Sequence, residues 1–93
     1  GALRVRATLE NTDLGLDITA YQKNGEIILV ILNRTDDNAN DVNIGVLQEI
    51  KSAQFYNTSQ YNDRKLLDIS ITDKQKVEMD IPKRSISTIV LNY

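Results

Sequence analysis

The chain has 93 residues, no cysteine, no histidine and a net charge of −2 with both signs interspersed. That length suits one domain burying roughly 60–65% of its unfolded surface, with no disulfide to staple it. The missing residue types exclude disulfides, thiolate metal sites and the commonest general base, and the charge balance argues against a nucleic-acid footprint.

No apolar run approaches the ~20 residues of a membrane span, and no basic segment leading into an apolar one opens the sequence. Neither a membrane segment nor a signal peptide is expected here. Gly1 in first place suggests a piece of something longer.

Leu3, Val5, Ala7 and Leu9 alternate with Arg4, Arg6, Thr8 and Glu10, which predicts a strand with an inner and an outer face. Asn11-Thr12-Asp13 has turn chemistry. Leu14, Leu16, Ile18 and Ala20 then alternate with Gly15, Asp17, Thr19 and Tyr21. The stretch from Leu14 to Thr35 reads as a hairpin about Asn24-Gly25, because a type I′ turn needs positive φ at both central residues. A two-residue loop there pairs Lys23 with Glu26, Ala20 with Leu29 and Ile18 with Ile31. On the other face it sets Tyr21 against Ile28, Thr19 against Val30 and Asp17 against Leu32. A sheet face turned to water carries polar residues. Ile28, Val30 and Leu32 are therefore either covered within the domain or matched to something outside it.

Thr35 to Asp41 is a polar loop. Asp36, Asn38 and Asn40 have the opening spacing of an EF-hand loop, but Asp41 stands where its glycine belongs and Leu47 where its glutamate belongs. A solvated loop is expected, with no metal. Val42, Ile44 and Val46 mark a strand, and Leu47 to Ser52 leaves room for a short helical turn. Ala53, Phe55 and Asn57 share one face of a strand through 51–57, with Tyr56 on the other, and Thr58 to Lys65 is a polar loop holding Tyr61. Leu67, Ile69 and Ile71 form one alternating run, and Val77, Met79 and Ile81 another. A three-residue loop at Asp73-Lys74-Gln75 pairs Ile71 with Val77 and Ile69 with Met79. It lacks the glycine such loops favour, so a looser turn is expected. Pro82 stops the strand before it. Ser85 to Asn92, apolar on both faces at Ile86, Ile89, Val90 and Leu91, suits a central strand.

About eight short strands predict an all-β fold, a two-layer antiparallel β-sandwich of immunoglobulin-like or Greek-key type, as one domain over residues 1–93. Chemistry is harder to find. Asp68 falls opposite Asp80 at a separation that suits a retaining glycosidase pair, roughly 5 Å. A flat, wet sheet face offers no cleft and no desolvation, so no catalytic residue is assigned. No phosphate loop, cofactor site or metal site is read. Asn33-Arg34-Thr35 and Asn57-Thr58-Ser59 match the N-glycosylation triplet. With no tryptophan, sugar stacking falls to Tyr56 and Tyr61, each of which equally suits an edge aromatic with a wet hydroxyl.

Three segments carry a resemblance. Ile18-Thr19-Ala20-Tyr21 leads through Asn24-Gly25 into Ile28 to Thr35 and its Asn33-Arg34-Thr35 end. Phe55-Tyr56-Asn57-Thr58-Ser59 follows, and then Ile81-Pro82-Lys83-Arg84-Ser85-Ile86-Ser87-Thr88. In this order they resemble the C-terminal β-sandwich side domain of family 30, or related retaining, glycoside hydrolases. Relatives often carry Asp-Gly where this chain has Asp73-Lys74-Gln75. The resemblance implies a non-catalytic accessory domain of a secreted or cell-surface enzyme acting on xylan-type or related β-glycans. Its implied partners are a (β/α)8 catalytic domain of the same parent chain, which it braces, and polysaccharide. It implies that Tyr21, Ile28, Val30 and Leu32 pack on that barrel or on another copy. The other readings are an independent carbohydrate-binding module using Tyr56 and Tyr61, and an immunoglobulin-like interaction domain of a surface protein.

Overall fold

The computed structural model describes residues 15–59 and 65–93 in full and the backbone of 3–4 and 7–9. The turn expected at Asn11-Thr12-Asp13, the start of the first hairpin at Leu14, and Tyr61 lie outside the described residues. Among the described residues there are ten strands: β1 (Leu3–Arg4), β2 (Ala7–Leu9), β3 (Leu16–Lys23), β4 (Glu26–Asn33), β5 (Ala39–Val46), β6 (Ser52–Ser59), β7 (Lys65–Leu67), β8 (Ser70–Asp73), β9 (Lys76–Ile81) and β10 (Ser85–Asn92). There is no helix among the described residues, and 47–51 is a bend and loop rather than the helical turn that the sequence left open. The strands form two antiparallel sheets, β1-β3-β4-β10-β6-β7 and β2-β5-β9-β8, stacked as a sandwich.

The hairpin of β3 and β4 has the register its turn dictates. Lys23 pairs with Glu26, Ala20 with Leu29 and Ile18 with Ile31, and Asn24 and Gly25 have φ of 49° and 79°. Period two then sends Ile27, Leu29 and Ile31 into the core, where each is fully buried. They pack with Phe55 of β6, Ile89 and Leu91 of β10, and Ile44, Val77 and Ile81 of the facing sheet. Each such burial contributes about 1.5–3 kcal/mol before chain entropy is counted. β10 lies in the middle of its sheet, paired along its whole length with β4 and with β6.

Two alternating runs differ from expectation in the same way. The 3–9 run splits into β1 in the larger sheet and β2 in the smaller. The 67–71 run splits into β7 and β8 likewise, so Ile69 is not paired with Met79. Ile71 pairs with Val77, yet its side chain is exposed because β8 is an edge strand. The hairpin of β8 and β9 closes through a two-residue turn, Lys74-Gln75, with an irregularity between Ile71 and Asp73. Neither turn residue has positive φ, and a turn of the unprimed kind splays the strands, so the extra residue restores the pairing. β5 begins at Ala39, earlier than its apolar alternation shows, with a bulge at Asp41, whose φ is 55°. β6 runs on through Thr58 and Ser59 instead of ending at Asn57.

Candidate functional site

The register of the larger sheet fixes what its outer face presents. One row reads Tyr21, Ile28, Val90, Gln54; the next Thr19, Val30, Thr88, Tyr56, Leu66; the third Asp17, Leu32, Ile86, Thr58. None of these side chains is buried. Tyr21, Ile86 and Leu66 keep 40%, 50% and 61% of their surface. Tyr21, Ile28, Val30 and Leu32 thus lie together on an apolar face that the described residues leave open. Tyr56 sits on that face between Thr88 and Leu66, its ring half-buried and its hydroxyl 3.5 Å from Gln54 Oε1. The partner proposed for it, Tyr61, is not among the described residues.

The inner side of the same sheet carries a polar knot that sequence reasoning did not assign. Asn33 ends β4 on the inward register and is 1% exposed. Its Nδ2 donates to the carbonyls of Asp37 (3.1 Å) and Ile81 (3.3 Å), and its Oδ1 accepts from the Thr35 amide (3.0 Å) and hydroxyl (2.7 Å). One side chain therefore ties β4 to its following loop and to β9 of the opposite sheet. Asn57, fully buried, donates from Nδ2 to Ser85 Oγ (3.1 Å) and Ser87 Oγ (2.8 Å) across to β10. Ser85 Oγ in turn donates to the Pro82 carbonyl at 2.6 Å, closing the 82–85 turn. Buried polar atoms cost free energy unless paired, and no buried side-chain polar atom here lacks a partner among the described residues. The signal was available in the sequence: Asn33 and Asn57 fall in register with Ile31 and Phe55. Both are also the asparagines of the glycosylation triplets, and their amides are committed inside.

Above the knot, where β4, β10 and β6 end, the outer face dips into a depression of about 370 Å³ lined by Leu32, Asn33, Arg34, Thr58, Ser59, Arg84, Ser85 and Ile86. Arg34 Nε lies 3.6 Å from Asp17 Oδ2, and Arg84 Nε pairs with Asp36 Oδ1. Arg84 holds the Asp36 carboxyl below its ordinary value of 3.8, first by that hydrogen bond and then by its charge, with Lys83 adding to the effect. Arg84 has φ of 46°. Asn38 Oδ1 accepts from the Lys83 amide at 2.9 Å, so two residues of the EF-hand-like spacing, Asp36 and Asn38, join the 34–38 and 82–84 loops.

On the opposite sheet a smaller depression of about 150 Å³ is lined by Asp41, Asp68, Ser70, Glu78, Met79 and Asp80. Asp68 and Asp80 both reach it, although Asp68 lies outside β8 and does not pair with Asp80 in the ladder. Asp80 Oδ1 accepts from the Asp41 amide at 2.9 Å, which caps the bulge.

Two stacked antiparallel sheets, closed at one end by buried asparagines and serines, define an antiparallel β-sandwich. The family model for the glycosyl hydrolase family 30 beta sandwich domain matches residues 1–89, and the chain belongs to that family. No curated protein matches it in sequence. Among solved structures, it is similar to a family 30 endoxylanase from Clostridium papyrosolvens C71, with a TM-score of 0.85 at 21% identity. It is also similar to a family 30 subfamily 8 xylanase from Clostridium acetobutylicum, at 0.86 and 19%. Both matches cover 100% of this chain and 24% of the other. The catalytic domain of the family 30 xylanase C from Talaromyces cellulolyticus scores 0.67 at 15% identity, over 94% of this chain and 21% of that one. The chain thus spans about a quarter of the length of the structures it matches.

Proposed function

We propose that this chain is the non-catalytic accessory β-sandwich of a secreted glycoside hydrolase acting on xylan-type or related β-glycans, and that it braces the parent's catalytic barrel. The observation that carries this is the open apolar face around Tyr21, Ile28, Val30 and Leu32. Contiguous exposed apolar surface of this kind marks an interaction site. The neighbouring structures support this reading, since each carries roughly three-quarters of its length beyond the matched segment and all are xylanases.

The test is an Ile28→Glu, Val30→Glu double substitution made both in the 93-residue chain and in its full-length parent. The side chains are only half-buried, so the isolated chain still folds and loses about 1–2 kcal/mol of unfolding free energy in urea. The parent loses thermal stability in its catalytic domain. An unchanged parent overturns the bracing role. Titration with neutral xylan in the same series separates the binding-module reading: saturable binding lost on Tyr56→Ala favours a module.

A further inference from the structure

The turn between β3 and β4 holds a reactive pair. Asn24 alone among the asparagines of the sequence is followed by glycine. Both residues are exposed at the tip of the hairpin, and a Cβ placed on Gly25 meets nothing nearer than Tyr93 O at 4.0 Å. No side chain at Gly25 stands between its backbone nitrogen and the Asn24 carboxamide. Asn38 and Asn40 are exposed too, but Ala39 and Asp41 follow them, and a side chain there crowds the same nitrogen.

The chemistry open to such a pair is intramolecular. Hydroxide takes the Gly25 N–H proton, and the nitrogen attacks Asn24 Cγ. The N–Cγ bond forms, the Cγ–Nδ2 bond breaks, and Nδ2 leaves as ammonia with a proton from water. Water then opens the five-membered imide at either carbonyl, giving aspartate or isoaspartate.

The backbone decides whether that ring closes. Closure needs the Gly25 nitrogen eclipsed with Cβ about the Asn24 Cα–C bond, so that the reacting atoms approach. The φ values of 49° and 79° over a two-residue loop make a type I′ turn, whose first central ψ is about 30°. That angle sets the nitrogen nearly opposite Cβ, and the folded turn holds the reacting atoms apart. Tyr93 keeps the turn shut from beyond β10. Its N–H donates to Gly25 O at 3.1 Å, and its hydroxyl accepts from Gln22 Nε2 on β3. Lys23 pairs with Glu26 just beneath.

We propose that Asn24-Gly25 is a self-modification site gated by Tyr93, shut in the folded hairpin and converted to aspartate and isoaspartate once the turn opens. Conversion to isoaspartate is a one-way mark. It adds a methylene to the backbone of a loop whose length fixes every pair above it, so Ile27, Leu29 and Ile31 lose the register that buries them.

The 93-residue chain is held in mildly alkaline buffer, with and without denaturing urea, and conversion is read by intact mass and located by peptide mapping. In urea Asn24 converts ahead of every other asparagine and at least about tenfold faster than in the folded chain, where only transient opening exposes it. The early product is absent from Asn24→Gln. Tyr93→Pro removes both the N–H donor and the hydroxyl, and Gln22→Met removes the side-chain contact alone. Each raises the rate in buffer at least twofold while circular dichroism shows the sheet intact; if Tyr93→Pro does not fold, Gln22→Met decides this arm. Equal rates in urea and in buffer overturn the protection by the turn. Conversion of Asn38 or Asn40 ahead of Asn24 in urea overturns the site, and wild-type rates in the folded variants overturn the role of Tyr93.

Discussion

The polar knot makes a quantitative demand on one residue. Asn57→Ala removes at least two buried hydrogen bonds, to Ser85 Oγ at 3.1 Å and Ser87 Oγ at 2.8 Å. Each is worth about 0.5–1.5 kcal/mol net. Ser85 Oγ retains the Pro82 carbonyl as partner, whereas Ser87, fully buried, loses this donor. An acceptor stranded away from water adds roughly 1 kcal/mol, and the small void adds a few tenths. The expected loss is about 3 kcal/mol, a large share of the stability of a domain this size. With a urea slope of about 1.5 kcal/mol/M the midpoint falls by ~2 M, and the melting temperature falls by roughly 12–24 °C. Equilibrium urea unfolding followed by far-ultraviolet circular dichroism reads the first number directly. The Ser87→Ala substitution completes a cycle: in the Asn57→Ala background it costs at least about 0.5 kcal/mol less than alone, because its partner is already gone. A loss under ~1 kcal/mol for Asn57→Ala, or strict additivity in the cycle, refutes the knot as a tie between β6 and β10.

Three further outcomes follow from single contacts. Gly15→Ala destabilises more than Gly25→Ala in urea, by about 2 against 1 kcal/mol. Both have positive φ, but a Cβ at Gly15 meets Thr35 Cγ2 at 2.9 Å, a side chain pinned by its bonds to Asn33 and Asp37, while at Gly25 the nearest atom is 4.0 Å away. For Asp36 the folded carboxyl titrates below its ordinary value of 3.8, so its stabilisation is complete above about pH 4 and is lost as pH falls through the folded value. The urea midpoints of wild type and Asp36→Asn therefore differ at pH 7 and draw together as the solution is acidified below the ordinary carboxylate range; a gap that does not change with pH contradicts the pairing with Arg84. Expression through a eukaryotic secretory pathway yields folded protein of unmodified mass at Asn33 and Asn57, because both amides are buried and bonded. A glycan on either, in correctly folded protein, contradicts the knot.

The sequence made the register of β3 and β4 readable because Asn24-Gly25 leaves one choice of turn, and a two-residue loop then fixes every pair above it. The central place of β10 was readable from apolar residues on both of its faces. What alternation cannot say is which sheet a strand joins. It reports a period of two, and a run can step from one sheet to the other without breaking that period, so β1 with β2 and β7 with β8 each read as one strand. The bulge at Asp41 was hidden for a related reason: a left-handed aspartate leaves no mark on hydropathy. At the site, the outer apolar face was legible in Ile28, Val30 and Leu32, and register extends it to Val90, Ile86 and Leu66. The depression between Arg34 and Arg84 was not legible, because it depends on two loops, 34–38 and 82–84, being brought together by backbone and side-chain hydrogen bonds between residues far apart in sequence.

The three separated segments that carry the resemblance come together beside those loops. Asn33 with Arg34, Asn57 with Thr58, and Ser85 with Ile86 meet at one end of three adjacent strands, in the order β4, β10, β6. Within each segment the period of two divides the work. The inward residues, Asn33, Asn57, Ser85 and Ser87, close the core, so substitution there acts on folding. Along the strands the outward residues Leu32, Tyr56, Ile86 and Thr88 form the open face, and Thr58 with Arg34 borders the depression, where side chains can change with little effect on the core. A fold retained at 15–21% identity is the expected result of such a division. It follows that substitution in the inward half of these segments bears on the fold, while the outward half is free to vary without disturbing the core. The two halves can be tested independently, since substitutions at Ile86 or Thr58 leave the urea midpoint nearly unchanged and those at Asn57 or Ser87 do not.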